Sequence, residues 1–268
     1  MTEIKQNGLV IFERDLGEND KLLTILTERY GKLTVIAKGV KSMRNRHMPS
    51  SQLFCYASFG LRKKGSYYYI VDSDLLENYF DIRSDVLKHA LASFVCDVVN
   101  DVCQEGNTED EILRLALNIL YAISKEIKSL EIIRATFEIR LAAELGIAPD
   151  INSCCVCHDT TDTTYYLDII DGVITCQNCK KKVKFDIEDT PFTEKGLNKP
   201  LAIVSKAVLD AINYIISVKQ ARILSFSLDD RQWTSFFDIS EKYLLNHLER
   251  GYFSLDFYKN LLGSGETC

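Results

Sequence analysis

Residues 30–71 read YGKLTVIAKGVKSMRNRHMPSSQLFCYASFGLRKKGSYYYIV. This stretch contains no Asp or Glu, although the whole chain of 268 residues has a formal net charge of -6. Its basic residues are Lys32, Lys38, Lys41, Arg44, Arg46, Arg62, Lys63 and Lys64. Such a concentration of positive charge in an acidic protein indicates an anion-binding surface, whereas a charge run by itself is also typical of a solvated face.

Aromatic residues lie between and beside the two basic clusters: Phe54, Tyr56, Phe59, Tyr67, Tyr68 and Tyr69. Basic side chains hold a phosphate backbone by charge, and aromatic rings can stack on unpaired bases. The combination predicts a nucleic-acid interface. In the alternative interpretation, the aromatic residues are the core of a small β domain and the charges are solvated.

Five short strands are predicted around this stretch, at residues 8–12, 21–27, 32–38, 52–62 and 66–72. The segment from Gly39 to Pro49 is polar and basic and is predicted to be a loop. Five strands with a basic loop between the third and the fourth suit a small closed barrel of the OB type. We therefore predict an OB-fold nucleic-acid-binding domain in residues 1–80, which carry 12 Lys and Arg against 9 Asp and Glu.

From about residue 83 the apolar residues recur at helical spacing. Helices are predicted at about 87–102, 112–127, 129–145 and 208–216, then from residue 229, with a short one around 255–262. These segments predict an α-helical domain made of residues 81–149 and 185–268. The fold class is thus α+β multidomain: a five-stranded OB-fold barrel followed by a helical domain with a small insert at 150–184.

The insert carries two close pairs of cysteines. Cys154 and Cys157 are followed, after 18 intervening residues, by Cys176 and Cys179, which gives C-x2-C-x18-C-x2-C. This spacing is typical of a structural four-thiolate zinc site, because two facing C-x2-C turns supply the four corners of a tetrahedron. The alternating residues between the pairs predict a hairpin with its turn at Asp171-Gly172.

Other interpretations of the insert stay open at the level of sequence. Cys155 or His158 could replace one ligand, although each breaks the two-residue spacing. The cysteines could also be a redox pair or buried thiols. The lysines that follow at once, Lys180, Lys181, Lys182 and Lys184, are interpreted as a solvated edge or as a second anion contact.

Sequence motifs for catalysis are missing. There is no G-x-S-x-G, H-E-x-x-H or G-x-G-x-x-G, and the four histidines are scattered through different segments. The chain is therefore predicted not to be an enzyme. No apolar run approaches the roughly 20 residues that cross a bilayer, and the first residues lack an apolar signal core. We expect a cytoplasmic protein with no membrane partner.

Several segments resemble the RecO family of bacterial recombination-mediator and DNA-repair proteins. They are LGENDKLLT (16–24), TERYGKL (27–33), AKGVKS (37–42), FEIRLAAELGIAP (137–149) and YLLNHLE (243–249). The resemblance spans nearly the whole chain in the order of the family. It implies an N-terminal OB-fold and a helical domain with a zinc finger. Because some family members lack the cysteines, the prediction of one structural Zn²⁺ per chain rests on the cysteine spacing of this sequence.

The resemblance also implies a function and partners. Members of this family bind single- and double-stranded DNA, anneal complementary strands and act with RecR to load RecA on DNA coated by the single-stranded DNA-binding protein. They can bind the acidic, apolar C-terminal tail of the latter protein. We expect nucleoid association during this work. The alternative is an OB-fold and zinc-ribbon scaffold that binds RNA and protein partners.

Carried to this chain, the resemblance makes Lys38, Lys41, Arg44 and Arg46 the loop that grips the DNA backbone, flanked by Lys32, Arg62, Lys63 and Lys64. Changing Lys41, Arg44 and Arg46 together to Ala is then expected to weaken binding to all sequences alike.

Arg134 and Arg140 are candidate receptors of an acidic partner tail. The alternative for these two arginines is i,i+4 pairing, of Arg134 with Glu138 and of Arg140 with Glu144.

Overall fold

The computed structural model describes residues 3–181 and 201–265. The described residues form two compact units, the first within Met1–Leu130 and Tyr252–Cys268 and the second within Glu131–Gly251. The domain limits predicted from the sequence do not coincide with these units, because the first unit contains helices as well as the barrel. Those limits stay a prediction.

A closed five-stranded barrel forms the first part of the first unit. Its strands are β1 (Glu3–Leu16), β2 (Asp20–Thr27), β3 (Gly31–Ala37), β4 (Tyr56–Lys64) and β5 (Tyr67–Glu77). They are arranged in the order β1-β2-β3-β5-β4, and pairing of β1 with β4 closes the barrel. Neighbouring strands are antiparallel except β3 and β5, which run parallel. The predicted OB-like barrel is confirmed.

The barrel closes around alternate residues of its strands, as the side-chain period of two requires. In β3, for example, Leu33, Val35 and Ala37 are buried while their neighbours are partly exposed. Gly31 begins this strand with a positive φ of 58°, and a Cβ there would lie 1.9 Å from the carbonyl oxygen of Gln104. Only glycine fits this close approach, so the turn before β3 depends on it.

Four helices complete the first unit: α1 (Phe80–Arg83), α2 (Val86–Val102), α3 (Asp110–Lys125) and α7 (Phe253–Gly265). Asp85 caps α2 by accepting hydrogen bonds from the backbone N–H groups of Leu87 and Lys88. The C-terminal helix is tied to α2 by the Ser254 hydroxyl, which donates to Asp97 at 2.6 Å. The first unit therefore joins the barrel to the three helices that follow it in sequence and to the helix Phe253–Gly265.

The second unit contains α4 (Leu130–Glu144), α5 (Lys206–Ser217) and α6 (Asp230–His247) with a three-stranded antiparallel sheet. The sheet has β6 (Thr164–Asp168) in the centre, between β7 (Ile174–Cys176) and β8 (Leu201–Ser205). The hairpin between β6 and β7 turns at Gly172, whose φ is 66°, as predicted. Strand β8 was not predicted from the sequence.

The helices that the apolar spacing predicts are present in the two units, with boundaries within a few residues of the expected ones. None of the helices in the described part of the chain combines the length and the apolar character that a bilayer crossing needs.

Candidate nucleic-acid interface and metal centre

One end of β3 and the hairpin between β4 and β5 bring three predicted DNA-binding residues together. The parallel register places Ile36 opposite Tyr69, so Lys38, which follows β3, lies beside β5. Arg62 and Lys64 lie on β4 opposite Tyr69 and Tyr67. A groove of about 410 Å³ results, lined by Lys38, Arg62, Lys64, Tyr69, Ile70 and Val71. We call it the basic groove.

The loop after β3 is fastened to the barrel at several points. The backbone N–H of Gly39 donates to Asp20 at 2.8 Å, and the Asn45 side chain donates to the Lys38 carbonyl at 2.9 Å. Arg46 reaches across to β5, where its guanidinium donates to the carbonyl of Val71 at 3.1 Å. Because Val71 also lines the basic groove, this bond brings Arg46 to the edge of the groove.

His47 supports Arg46, and sequence reasoning missed this role because the histidine has no motif around it. The Nε of Arg46 donates to Nε2 of His47 at 3.1 Å, while Nδ1 of His47 lies 2.7 Å from the Ser73 hydroxyl. Partial burial, and then the positive charge of Arg46, hold the pKa of His47 below its usual value. The neutral imidazole can therefore accept the Arg46 hydrogen bond and orient the guanidinium.

Three of the predicted cations already have carboxylate partners. Lys41 pairs with Asp15 at 2.7 Å, Arg62 with Glu3 at 2.5 Å, and Arg46 with Asp72 at 3.4 Å. The hydrogen bond from Lys41 lowers the pKa of Asp15. Exposed pairs of this kind contribute only about 0–1 kcal/mol, so a phosphate can replace the carboxylate.

Four other predicted DNA-binding residues have no carboxylate partner in the described part of the chain. Within residues 3–181 and 201–265, no ion pair is formed by Lys38, Arg44, Lys63 or Lys64. All four are exposed. The positive charge of these four side chains is therefore not neutralised by a carboxylate within the described residues.

Lys32 lies apart from this group. It is near the beginning of β3, whereas Lys38 follows the end of the strand, and six residues of strand span about 20 Å. Its ammonium donates to the carbonyl of Asn100 in α2. The structure does not bring Lys32 to the basic groove, and its role in DNA binding stays a prediction.

The aromatic residues of the stretch divide into two sets. Phe54, Phe59 and Tyr68 are buried, as the alternative of an aromatic core expects. Tyr67, by contrast, is 43% exposed, and Tyr69 lines the basic groove. The stretch is thus both the core of the barrel and part of its surface.

The four predicted metal ligands come together in the second unit. The sulfur atoms of Cys154, Cys157, Cys176 and Cys179 all lie within 4.8 Å of one another. Those of Cys157 and Cys176 are 3.6 Å apart, close to the edge of about 3.8 Å expected for a tetrahedron with Zn–S bonds of about 2.3 Å. The donor set and its spacing fit a bound metal ion.

Neither alternative ligand belongs to this cluster. The cluster contains Cys154, Cys157, Cys176 and Cys179 and excludes both Cys155 and His158. The Cys155 sulfur instead lies 3.6 Å from the hydroxyl of Thr175. The spacing of two residues within each pair therefore predicts the four cysteines that the structure brings together, and their role as ligands stays a prediction.

Backbone N–H groups prepare Cys154 for a metal. Burial raises the pKa of this thiol, but hydrogen bonds from the backbone of Cys157, Cys176 and Val156 outweigh burial and lower the pKa to about 6. The N–H of Cys176 donates to the Cys154 sulfur at 3.3 Å. Such bonds stabilise the thiolate, which is the form that binds metal.

Of the lysines after the second cysteine pair, Lys180 places its ammonium 5.9 Å from the ring centroid of Tyr166. Lys181 is exposed. Lys182 and Lys184 lie outside the described residues, so the alternatives for this cluster remain open.

The two candidate partner-binding arginines are engaged inside the second unit. Arg134 is 5% exposed and pairs with Glu138 at 2.7 Å and with Glu241 at 2.9 Å. Burial raises the pKa of Glu138 to about 7, against the lowering effect of Arg134. Removing one partner of a buried ion pair costs about 3–5 kcal/mol, so Arg134 is held by its carboxylates.

Arg140 has a similar structural role. It donates to Glu144 at 2.8 Å and to the carbonyls of Ile215, Ile216 and Val218 at 2.7–3.0 Å. These carbonyls lie at the C-terminal end of α5, where an arginine offsets the helix dipole. Both i,i+4 pairs offered as the alternative are present, and the geometry favours them over a receptor role, which stays a prediction.

Comparison with known proteins shows which family this chain belongs to. The family model described as Recombination protein O N terminal matches residues 1–79, and the one described as Recombination protein O C terminal matches residues 83–189. Together they cover more than half of the chain. The chain belongs to the RecO family.

Curated RecO proteins are similar along nearly their whole length. A DNA repair protein RecO from Acetivibrio thermocellus is 32% identical over 262 residues, which are 97% of this chain and 98% of that protein. A DNA repair protein RecO from Alkaliphilus metalliredigens is 27% identical over 96% of this chain and 99% of its own. A DNA repair protein RecO from Thermoanaerobacter sp. is 26% identical over 97% of this chain and 99% of that protein.

The two candidate sites fall in different parts of the RecO match. The basic groove lies within the region matched by the N-terminal model, and the four cysteines lie within the region matched by the C-terminal model. The RecO family resemblance seen in the sequence is thus confirmed, with one candidate site in each matched region.

Proposed function

We propose that this RecO-family chain is a DNA repair and homologous recombination mediator. It binds single- and double-stranded DNA, anneals complementary strands and, with RecR, helps to load RecA on DNA coated by the single-stranded DNA-binding protein. The observation that carries the proposal is the basic groove on a closed barrel, where Lys38, Arg62 and Lys64 converge in a protein of net charge -6. Phosphate groups are the ligands that such a surface attracts.

Annealing by this surface needs no covalent step. Two DNA strands repel each other through their phosphates, and lysine and arginine side chains that neutralise phosphates reduce this repulsion. Once the groove has neutralised part of the phosphate charge of a bound strand, a complementary strand can approach it closely enough to pair. The proposed role is therefore non-enzymatic.

Zinc is proposed as the metal of the cysteine cluster. Cys154, Cys157, Cys176 and Cys179 would hold it, and four thiolates leave no coordination position for a substrate or water. The ion would cross-link the loop around Cys154 to the end of β7, where Cys176 lies. Its contribution is thus to stability and not to reactivity.

The partners and location in this proposal are supported by family membership. They are RecR, the C-terminal tail of the single-stranded DNA-binding protein and, indirectly, RecA, acting in the cytoplasm at the nucleoid. Among the residues that the structure describes, we assign none to these protein contacts.

The proposed function is tested by annealing of two complementary oligonucleotides that carry a fluorescence donor and an acceptor. We expect the protein to accelerate the rise in energy transfer, and more so at low salt, because the phosphate contacts are electrostatic. Non-complementary strands serve as the control and should give no such rise. Equal annealing rates with and without protein would contradict the proposal, and preference for RNA strands would favour the scaffold alternative.

A further inference from the structure

Tyrosine and basic residues face each other across the β4–β5 hairpin. The register pairs Arg62 with Tyr69 and Lys63 with Tyr68. Successive residues of a strand point to opposite sides, so Tyr68 enters the barrel core, where it is 8% exposed, and Tyr69 points outward to the basic groove. The two rings thus lie on either side of the barrel wall, each beside a different cation.

Both rings carry a lysine ammonium over a face. The Nζ of Lys38 is 5.5 Å from the centroid of the Tyr69 ring, and the Nζ of Lys63 is 5.2 Å from that of Tyr68. Both distances are within the range of about 6 Å for a cation–π contact. A ring face covered by an ammonium group is not available for stacking on a base.

We propose, on the premise of the DNA-binding function above, that Tyr69 and Tyr68 are positioning residues that hold Lys38 and Lys63 for phosphate binding, so that the β4–β5 hairpin recognises the phosphodiester backbone and not the bases. These two rings then do not act as the stacking platform that the number of aromatic residues in the sequence indicates. They fix the direction of two long, flexible side chains.

The physical benefit of this arrangement is entropic. A free lysine loses rotamer freedom when it binds a phosphate, and this loss reduces affinity. A lysine already held over a ring loses less freedom, because its side chain is partly ordered before the ligand arrives. Neither Lys38 nor Lys63 forms an ion pair within the described part of the chain, so each ammonium can accept a phosphate without releasing a carboxylate.

This mode of recognition suits strand annealing. Single- and double-stranded DNA share the same phosphodiester backbone, so a surface that reads the backbone binds both. Bases that are not stacked on protein remain free to pair with a complementary strand. A stacking surface would instead have to release each base before it could pair.

The decisive comparison uses two single-stranded oligomers of about 16 nucleotides, one normal and one with abasic sites at all positions. We expect the wild-type protein to bind the two with affinities within about twofold, because stacking on even one base would favour the normal oligomer by about fivefold or more. If the protein binds the normal oligomer but not the abasic one, this inference is overturned while the proposed DNA-binding function stays intact. Binding of neither oligomer at low salt would overturn both.

Variants of the outward-facing tyrosines test the positioning role. Tyr69→Leu is expected to weaken binding of both oligomers equally, by about two- to fivefold, and Tyr69→Phe, which keeps the ring, should bind like the wild type. Tyr67→Leu removes an exposed ring that has no cation over it within the described residues, and serves as the matched control. A loss confined to the base-bearing oligomer, or no loss in Tyr69→Leu, would overturn the role.

Discussion

Cys154→Ser is expected to lose the bound zinc and to destabilise the second unit by several kcal/mol. Structural zinc supplies about 10–16 kcal/mol of binding free energy to small zinc-finger peptides, and a serine hydroxyl is a much poorer ligand than a thiolate. The Cys154 sulfur is buried, lies within 4.8 Å of three other ligand sulfurs and accepts a backbone hydrogen bond from Cys176. Replacing Cys154 therefore removes a buried sulfur ligand from the cluster.

The adjacent cysteine provides a matched control for this prediction. Cys155→Ser changes the same atom one residue away, but Cys155 is exposed and outside the metal cluster. We expect one zinc ion per chain and an unchanged thermal unfolding curve in this variant. Metal content by atomic absorption and unfolding by circular dichroism are the measurements. Full zinc content in Cys154→Ser, or loss of zinc in Cys155→Ser, would show that the ligand set is wrong.

The barrel should survive the loss of zinc. All four ligands lie in the second unit, whereas the barrel has its own apolar core in the first. We therefore expect Cys154→Ser to retain DNA binding by the basic groove, although its second unit is destabilised. This separates the structural role of the metal from the binding role of the barrel.

The combined change of Lys38, Lys63 and Lys64 to Ala is expected to weaken binding of single-stranded DNA on the order of 10²-fold at about 50 mM salt. Each phosphate contact on a single strand contributes about 0.7 to the slope of log affinity against log salt, so the slope should fall by about 2. These lysines are exposed, lie in or beside the basic groove and form no ion pair in the described part of the chain, so no carboxylate neutralises their charge. Affinity is measured by fluorescence anisotropy.

A charge-matched control separates this effect from net charge. Lys125, Lys219 and Lys242 are exposed lysines outside the barrel, and their combined change to Ala alters the formal charge equally. We expect this control to bind DNA within about twofold of the wild type, because none of the three lysines lines the basic groove. Equal losses in the two triple variants would mean that total charge, and not the groove, determines binding.

The structure changes which basic residues we expect to contribute most to DNA binding. The sequence hypothesis placed the main effect on Lys41, Arg44 and Arg46, but Lys41 and Arg46 are paired with Asp15 and Asp72. Their replacement also frees a carboxylate, so part of the effect is a local increase of negative charge. Of these three, Arg44 alone forms no ion pair with another described residue.

Local patterns predicted much of the fold. The alternation in Leu33, Val35 and Ala37 indicated a half-buried strand, and the C-x2-C spacing identified the four cysteines that the structure brings together. Both signals depend on residues close together in the chain. Strand β8 has no such signal, because it is defined by pairing with β6, whose residues lie 33 to 41 positions earlier.

Long-range contacts explain what the sequence could not show about the site. A stretch without acidic residues looked uncompensated, but strand pairing places Glu3 opposite Arg62, and the loop contacts place Asp15 beside Lys41. Three consecutive tyrosines have no apolar–polar alternation, so the sequence could not tell that Tyr68 points inward while Tyr69 lines the groove. The carboxylate partners of the cations and the direction of each tyrosine therefore depend on strand register and on contacts between residues distant in sequence.

The most direct test of the basic groove is the affinity of the wild-type protein for single-stranded DNA at salt concentrations from about 50 to about 200 mM. The groove and its edge offer four cations, Lys38, Arg62, Lys64 and Arg46, so log affinity should fall linearly with log salt with a slope between about -2 and -3 on single strands, whatever the sequence. Absence of binding at the lowest salt, or an affinity independent of salt, would contradict the role of the groove in holding the DNA backbone.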